Sequence, residues 1–424
     1  MVRRVASPST QPATAPIDEP VVDAARASVE RFVRWLEAFG EASHDPYDFW
    51  ATPLGARAKE RYHRGGLVGQ AVVAPFVALD LVVPRSRGLV RKKVRYANAD
   101  AHYAMGFFAL ARLYDRDRNV ARGRAFLTAL EAERSPGFDD PGWGYPFDWP
   151  TRYGVFEAGW PLITTIPYCY EAFEDGHAAT GEPRYLELME GTARLAAERF
   201  PVTPVGDGAE AASYTPFDTR QVVNANAYRA YLLTTAGLRF ERDDWVEAGR
   251  RNTAFVVQSQ RPDGSWPYSI DGSDDFVDNF HTCFNLKNLL KIWALTGAED
   301  VREAIAAGYA YYLANLIDET GLPLPFAKQP RLTLHKRDLY DYAEGINLAQ
   351  LARELVPEAD GVLRSLVLDL TGSWQVSDGH FVTRKLLVGR NAVPYHRWAQ
   401  SPAFRSLARV AVSEAGTTGA AHAQ

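Results

Sequence analysis

Residues 260–295 read QRPDGSWPYSIDGSDDFVDNFHTCFNLKNLLKIWAL, and this stretch holds the unit from which the chain is built. A Pro/Gly turn, two aromatic residues and a run of acids lead into a helix that is apolar on most faces, the kind expected to be buried. Five other stretches share that character: a polar or charged residue opens an apolar helical run just behind a Gly/Pro/aromatic loop. Counting Asp278 in the quoted stretch, the runs open near Asp100, Glu157, Asn224, Asp278, Asp341 and His396, at intervals of 54 to 67 positions. A period of that size fits two helices and a loop. More amphipathic segments at 118–133, 184–199, 243–259, 299–316 and 358–370 lie between the runs, each suited to one wet face. An inner and an outer ring follow, giving an all-α (α/α)6 toroid of about six hairpins. Its aromatic and acidic loops would gather round one mouth.

Length and composition agree with one repeat domain. A chain of 424 residues is long for one ordinary core, but stacked hairpins bury their faces against their neighbours. We expect a single toroid over 21–415, less regular over 21–95, with disordered tails at 1–20 and 416–424. The first tail is rich in Pro, Ser, Thr and Ala and has no apolar core of a secretory signal, so a cytoplasmic protein is expected. A net charge of −5 speaks against a nucleic-acid partner. Cys169 and Cys283 fall in apolar runs and read as small buried hydrophobes, with no metal-ligand spacing. No phosphate-binding loop, dinucleotide fingerprint, HExxH or GxSxG motif occurs, and we expect neither metal nor cofactor. The stretch Leu67–Val83 is apolar but short for a membrane span and carries Pro75 and Asp80; Arg85, Arg87, Arg91, Lys92, Lys93 and Arg95 follow. It suits a buried helix with a solvated basic loop, or a peripheral membrane contact over 67–95.

Chemistry is sought among the loops. In the quoted stretch Trp266 and Tyr268 precede Asp271, Asp274, Asp275 and Asp278, and His281 follows. An acid at a helix start is explained by capping alone, but this density of acid/base groups exceeds what a cap needs. Asp278, His281 and Asn285 fall on one helical face at i, i+3 and i+7. The Asp run does not match the calcium spacing of an EF-hand. Trp143, Tyr145, Asp148 and Trp149 form a similar mixture in PGFDDPGWGYPFDW, where flat rings suit sugar faces and carboxylates suit hydroxyls. Each ring taken singly is equally well explained by loop packing. Glu157 is expected to be a buried acid at the next helix start, and Glu157 or Asp148 facing Asp278 would complete a carboxyl pair. Asn224, Asn226, Tyr228, Asp341, Glu344, His396 and Arg397 complete the candidate rim. An Arg at a helix start opposes the dipole, so Arg397 asks for a carboxylate, either a uronate or Asp341 or Glu344.

The hairpin period, the QRPDGSWPYS loop and the DNFHTCFNL and PYHRWAQSPAFRSLA segments resemble a VpsJ-like family of (α/α)6-toroid proteins assigned to exopolysaccharide biosynthesis, neighbouring the six-hairpin glycosidases. The resemblance covers most of the chain from about residue 95. It implies a saccharide-related role and carries over no catalytic residue. Asp-Gly-x-Trp loops also occur in terpene-cyclase and prenyltransferase toroids, but SDDFVD is not their DxDD motif and no zinc set stands out. The leading expectation is glycan hydrolysis by paired carboxyls, with Asp278, His281 and Glu157 as acid/base groups and an oligo- or polysaccharide as partner. A uronate lyase or C5-epimerase, a non-catalytic glycan-binding scaffold and an isoprenoid cyclase are the alternatives.

Overall fold

The computed structural model describes residues 16–272, 275–329 and 333–416. Its helices, in chain order, are α1 (Glu19–Phe39), α2 (Pro53–His63), α3 (Gly66–Val82), α4 (Ala97–Leu110) and α5 (Arg116–Ala132). Next come α6 (Ile166–Thr180), α7 (Pro183–Glu198), α8 (Val223–Phe240), α9 (Asp243–Gln258) and α10 (Asn279–Thr296). The last are α11 (Glu299–Asn315), α12 (Leu339–Ala352), α13 (Ala359–Asp369) and α14 (Ser401–Ala411). The even-numbered helices from α4 to α14 pack side by side into a closed inner ring, α14 returning to α4. Their odd-numbered partners form the outer ring, and the fold is an (α/α)6 toroid.

The sixth hairpin is closed from the far end of the chain. Helix α1 packs on α14 as its outer partner, and Ile17–Asp18 pairs in parallel with Ala415–Gly416. Residues 17–20, expected in a tail, therefore belong to the ring; 1–15 and 417–424 lie outside the described residues. Short turns join the inner helices α4 to α12 to their outer partners, while long loops lead back in, so all six inner N-termini share one mouth. Neighbouring loops are laced together there by short ladders, Val277–Asp278 against Phe326–Lys328 and His335–Asp338 against Arg384–Leu386.

One helix start differs from the sequence expectation. Glu157 does not open an inner helix; it follows a small hairpin of Trp149–Thr151 and Gly154–Phe156. Helix α6 begins nine residues later at Ile166, with Pro167 in its first turn, where a missing N–H costs nothing. The repeated Gly-Trp loops have a structural explanation. Trp143 donates its indole N–H to the Leu130 carbonyl at 2.7 Å, and Trp266 donates to Val256 at 2.9 Å. Both rings are fully buried, pinning a loop to the end of the preceding outer helix. Gly264 enables that turn: its φ is +89°, and a Cβ there would stand 2.4 Å from the Ala307 carbonyl oxygen.

The axis of the ring is filled by charge. Lys287 of α10 pairs with Glu344 of α12, and Lys291 pairs with Glu171 of α6. Arg405 of α14 donates to Glu171 at 2.8 Å and approaches His102 of α4 at 3.5 Å. Tyr168 of α6 and Tyr228 of α8 bond through their hydroxyls at 2.5 Å. Burial alone would raise the Glu171 carboxyl, but Lys291 and Arg405 hold it well below the usual carboxylate range. Burial and the Arg405 charge push His102 well down, so it faces Arg405 as a neutral acceptor. Removing one member of such a pair strands a buried charge, whereas removing both can be neutral. Glu344→Gln should therefore cost about 3–5 kcal/mol in denaturant unfolding. The double variant Lys287→Met/Glu344→Leu should match or exceed the parent.

Candidate functional site

At the mouth, Asp278 is the N-cap of α10 and accepts the backbone N–H of His281 at 3.0 Å. The same carboxylate meets the His281 ring, Nδ1 lying 2.9 and 2.7 Å from its two oxygens. Asp278 is buried, while the His281 side chain stays 23% exposed. A carboxylate on Nδ1 fixes the tautomer and leaves Nε2 as the proton acceptor. Asp278, His281 and Asn285 line a cavity of about 10 Å³ with Asn224 and Tyr268, room for about one water. Asn224 and Asn285 each carry a buried carboxamide oxygen with no protein hydrogen-bond partner. Buried polar groups are rarely left so, and here two converge on one place.

A second carboxyl belongs to this region. Asp341, in the first turn of α12, is fully buried and its Oδ1 has no protein partner. Burial raises it well above the carboxylate range, and the charges of Asp338 and Asp278 push the same way against Arg384 and Arg337. Asp338 itself caps α12, accepting from Tyr340 N–H at 3.0 Å and from Arg384 at 2.6 Å.

Aromatic rings surround these groups. Tyr268 stacks on Phe276 at 4.9 Å and meets His281 edge-on at 4.8 Å, and Phe280 packs on Tyr340 at 5.3 Å. Across the mouth Tyr47 and Tyr145 both contact Trp149 and Trp398. Tyr214 joins the two groups, its hydroxyl feeling both Tyr145 and Tyr268. Burial raises the phenols of Tyr145 and Tyr168 to about 12 and that of Tyr228 well above its ordinary value, so all three stay protonated at neutral pH. Tyr47, Tyr214 and Tyr340 had no motif to mark them.

Several candidates serve the framework instead. Trp143 and Trp266 pin loops as described; Trp143 is wholly enclosed, and Trp266 reaches only the wall of the small cavity beside Asp278. Asn226 is committed to Ala212 and Val222 backbone groups. Exposed Asp148 accepts the Ala158 N–H at 2.9 Å. Asp275 is exposed and tied to Arg261 and Lys328, and Asp271 is tied to Arg220; Asp274 lies outside the described residues. Glu344 is spent on Lys287 below the mouth. Glu157 is exposed rather than a buried acid. His396 is buried among Trp35, Phe39 and Tyr103, its ring nitrogens without partners, and burial drops it to about 3. Arg397 finds its carboxylate in Asp45, not Asp341 or Glu344, through two 2.7 Å bonds, and lies over Trp398 at 3.5 Å.

No family model matches the sequence, and no curated relative is found. Solved structures share the fold. An unsaturated glucuronyl hydrolase specific for heparin is 13% identical, with 92% of this chain and 96% of that one covered and a TM-score of 0.61. A GH76 α-mannanase of Bacteroides thetaiotaomicron is 11% identical over 75% of this chain and 86% of that one, with a TM-score of 0.57. A cellobiose 2-epimerase of Bacillus thermoamylovorans is 9% identical over 75% and 87%, also with a TM-score of 0.57. At such identities the likeness is one of fold.

The Asp341 carboxyl makes a prediction about stability. Its proton is held more tightly in the folded chain than in the unfolded one, where an Asp titrates near ~3.9. Stability is therefore lost as pH rises above that value, until the folded carboxyl also ionises. Asp341→Asn removes the loss, so the variant should melt above the parent at neutral pH, with the gap closing towards pH ~4. Thermal scans across pH check this, and a variant less stable at neutral pH would contradict it.

Proposed function

We propose that the protein hydrolyses a glycan at the toroid mouth. The observation that carries this reading is the convergence of the Asp278–His281 pair and the unpartnered oxygens of Asn224 and Asn285 on a water-sized cavity. A water held there would donate one hydrogen bond to an amide oxygen of Asn224 or Asn285 and give its other proton to His281 Nε2. Asp278 would orient the imidazole and stabilise its charged form. In this reading Asp341, whose carboxyl burial and the charges of Asp338 and Asp278 keep protonated, takes the place expected of Glu157 as the acid for the leaving oxygen. Exposed parts of Tyr268, Trp149, Tyr47 and Trp398 would take sugar faces. The neighbours named above, a glucuronyl hydrolase, a mannanase and a cellobiose epimerase, are named for action on saccharides, and the VpsJ-like resemblance of the sequence favours a place in exopolysaccharide assembly or modification.

The Asp278–His281 pair also suits proton abstraction from carbon, so epimerisation or elimination is the second reading. It is weaker because Arg397, the expected uronate partner, is committed to Asp45, and the buried tyrosines are donors rather than bases. Incubation with neutral and uronate glycans in deuterated water separates the two. Hydrolysis gives new reducing ends without deuterium on ring carbon. Asp278→Asn, which keeps a good helix cap, and His281→Gln should each lower kcat by about 10²–10⁴. Deuterium at a ring carbon or an absorbing double bond would move the assignment to the second reading. Saturable binding with no product across the panel would leave a scaffold.

A further inference from the structure

We propose that the α2–α3 hairpin docks on an anionic lipid surface, lying on the bilayer without crossing it. Helix α3 reads GLVGQAVVAPFVALDLV and is apolar all round, yet of its 17 residues only Gly69 is buried. It touches α2 on one side, where Gly69 lies so close that a Cβ would stand 2.7 Å from the Arg61 carbonyl oxygen. Phe76 reaches Trp50 at 5.6 Å. Most of the rest faces out, with Leu67 82% and Val82 79% exposed, and Leu89 in the turn that follows is 90% exposed. Ten of the nineteen exposed large hydrophobic side chains among the described residues fall within 54–90. Scattered exposed apolar residues are ordinary, but a contiguous patch marks an interaction surface.

Charge says what covers it. Residues 53–95 hold ten Lys or Arg and two acids, in a chain whose net charge is −5. Arg57, Arg64 and Lys92 are exposed around the apolar helix. Pairing two such hairpins in a dimer would bring like charges together, whereas an anionic bilayer takes both the apolar helix and its basic border. No helix among the described residues is long and apolar enough to cross a membrane, which leaves an interfacial placement. The hairpin also borders the mouth: α2 packs on the strand Trp149–Thr151, and Lys59 lies 4.1 Å over the Tyr47 ring. Docking through α3 thus sets the mouth beside the lipid surface. This inference is independent of the hydrolytic reading.

The full chain would be sedimented with vesicles of phosphatidylcholine alone and of phosphatidylcholine mixed with phosphatidylglycerol. We expect it to pellet with the anionic vesicles and to release as salt rises. Leu67→Glu/Val82→Glu and Arg57→Glu/Lys92→Glu should each weaken this by about tenfold or more. All four positions are exposed, so both variants should keep the parental circular dichroism and melting temperature. Failure of the parent to pellet with anionic vesicles at low salt would overturn the proposal, as would equal binding to neutral vesicles. A dimer that Leu67→Glu/Val82→Glu splits, without vesicle binding, would assign the surface to a second copy.

Discussion

Everything in this toroid is arranged round the charges on its axis. Glu171 of α6 holds Lys291 of α10 and Arg405 of α14, while Lys287 of α10 holds Glu344 of α12. These ions are out of water, so each is tolerable only with its partner in place. The network reaches all six inner helices, with His102 and the Tyr168–Tyr228 pair supplying α4 and α8. An apolar plug would fill the same volume but would accept many rotations and slips of the helices. Paired charges accept few, and so they specify the register in which the ring closes.

Filling the axis also decides where chemistry can occur. Among the described residues the inward faces of the inner helices are taken up by these pairs, which leaves their N-terminal ends as the place for reactive groups. There the free backbone N–H groups of α10 and α12 are met by Asp278 and Asp338. The capping carboxylates are thereby delivered to the same rim as the loop aromatics. The crowding of acids has a consequence at Asp341: buried between two capping carboxylates, it is driven to keep its proton. A helix-capping requirement thus generates a protonated acid beside an Asp–His pair.

How much of this could be read in the sequence varies with the range of the interactions involved. Outer helices were legible almost to the residue, α9 at Asp243–Gln258 against 243–259, because amphipathic period and flanking turns are local signals. Glu157 misleads because an apolar run after a polar residue carries the local signature of a helix start. Turns at Glu157–Trp160 and Leu162–Thr165, on either side of Pro161, carry the chain to α6, and the better signal is Pro167 in its first turn. The closing role of α1 was invisible, since it joins residues nearly four hundred positions apart. Trp143 and Trp266 were correctly noticed as a repeat, but a repeated ring is as useful for pinning hairpins as for stacking on sugars. Burial is what tells these apart. Arg397 was rightly expected to need a carboxylate; Asp45, in the irregular region, could not be located by spacing.

Asp278 shows why the site is hard to divide into structural and chemical parts. Its carboxylate caps α10, holds the His281 ring, and adds to the field that keeps Asp341 protonated. The first role needs only an acceptor and the second an acceptor in the right place, but the third needs negative charge. Capping alone would have been met by Ser, Thr or Asn at this position. What Asp adds over those is the charge, and the charge is felt by the imidazole and by the neighbouring acid. Asp at this helix start therefore serves the helix, whose dipole favours its charge, and at the same time the imidazole and the acid that feel that charge.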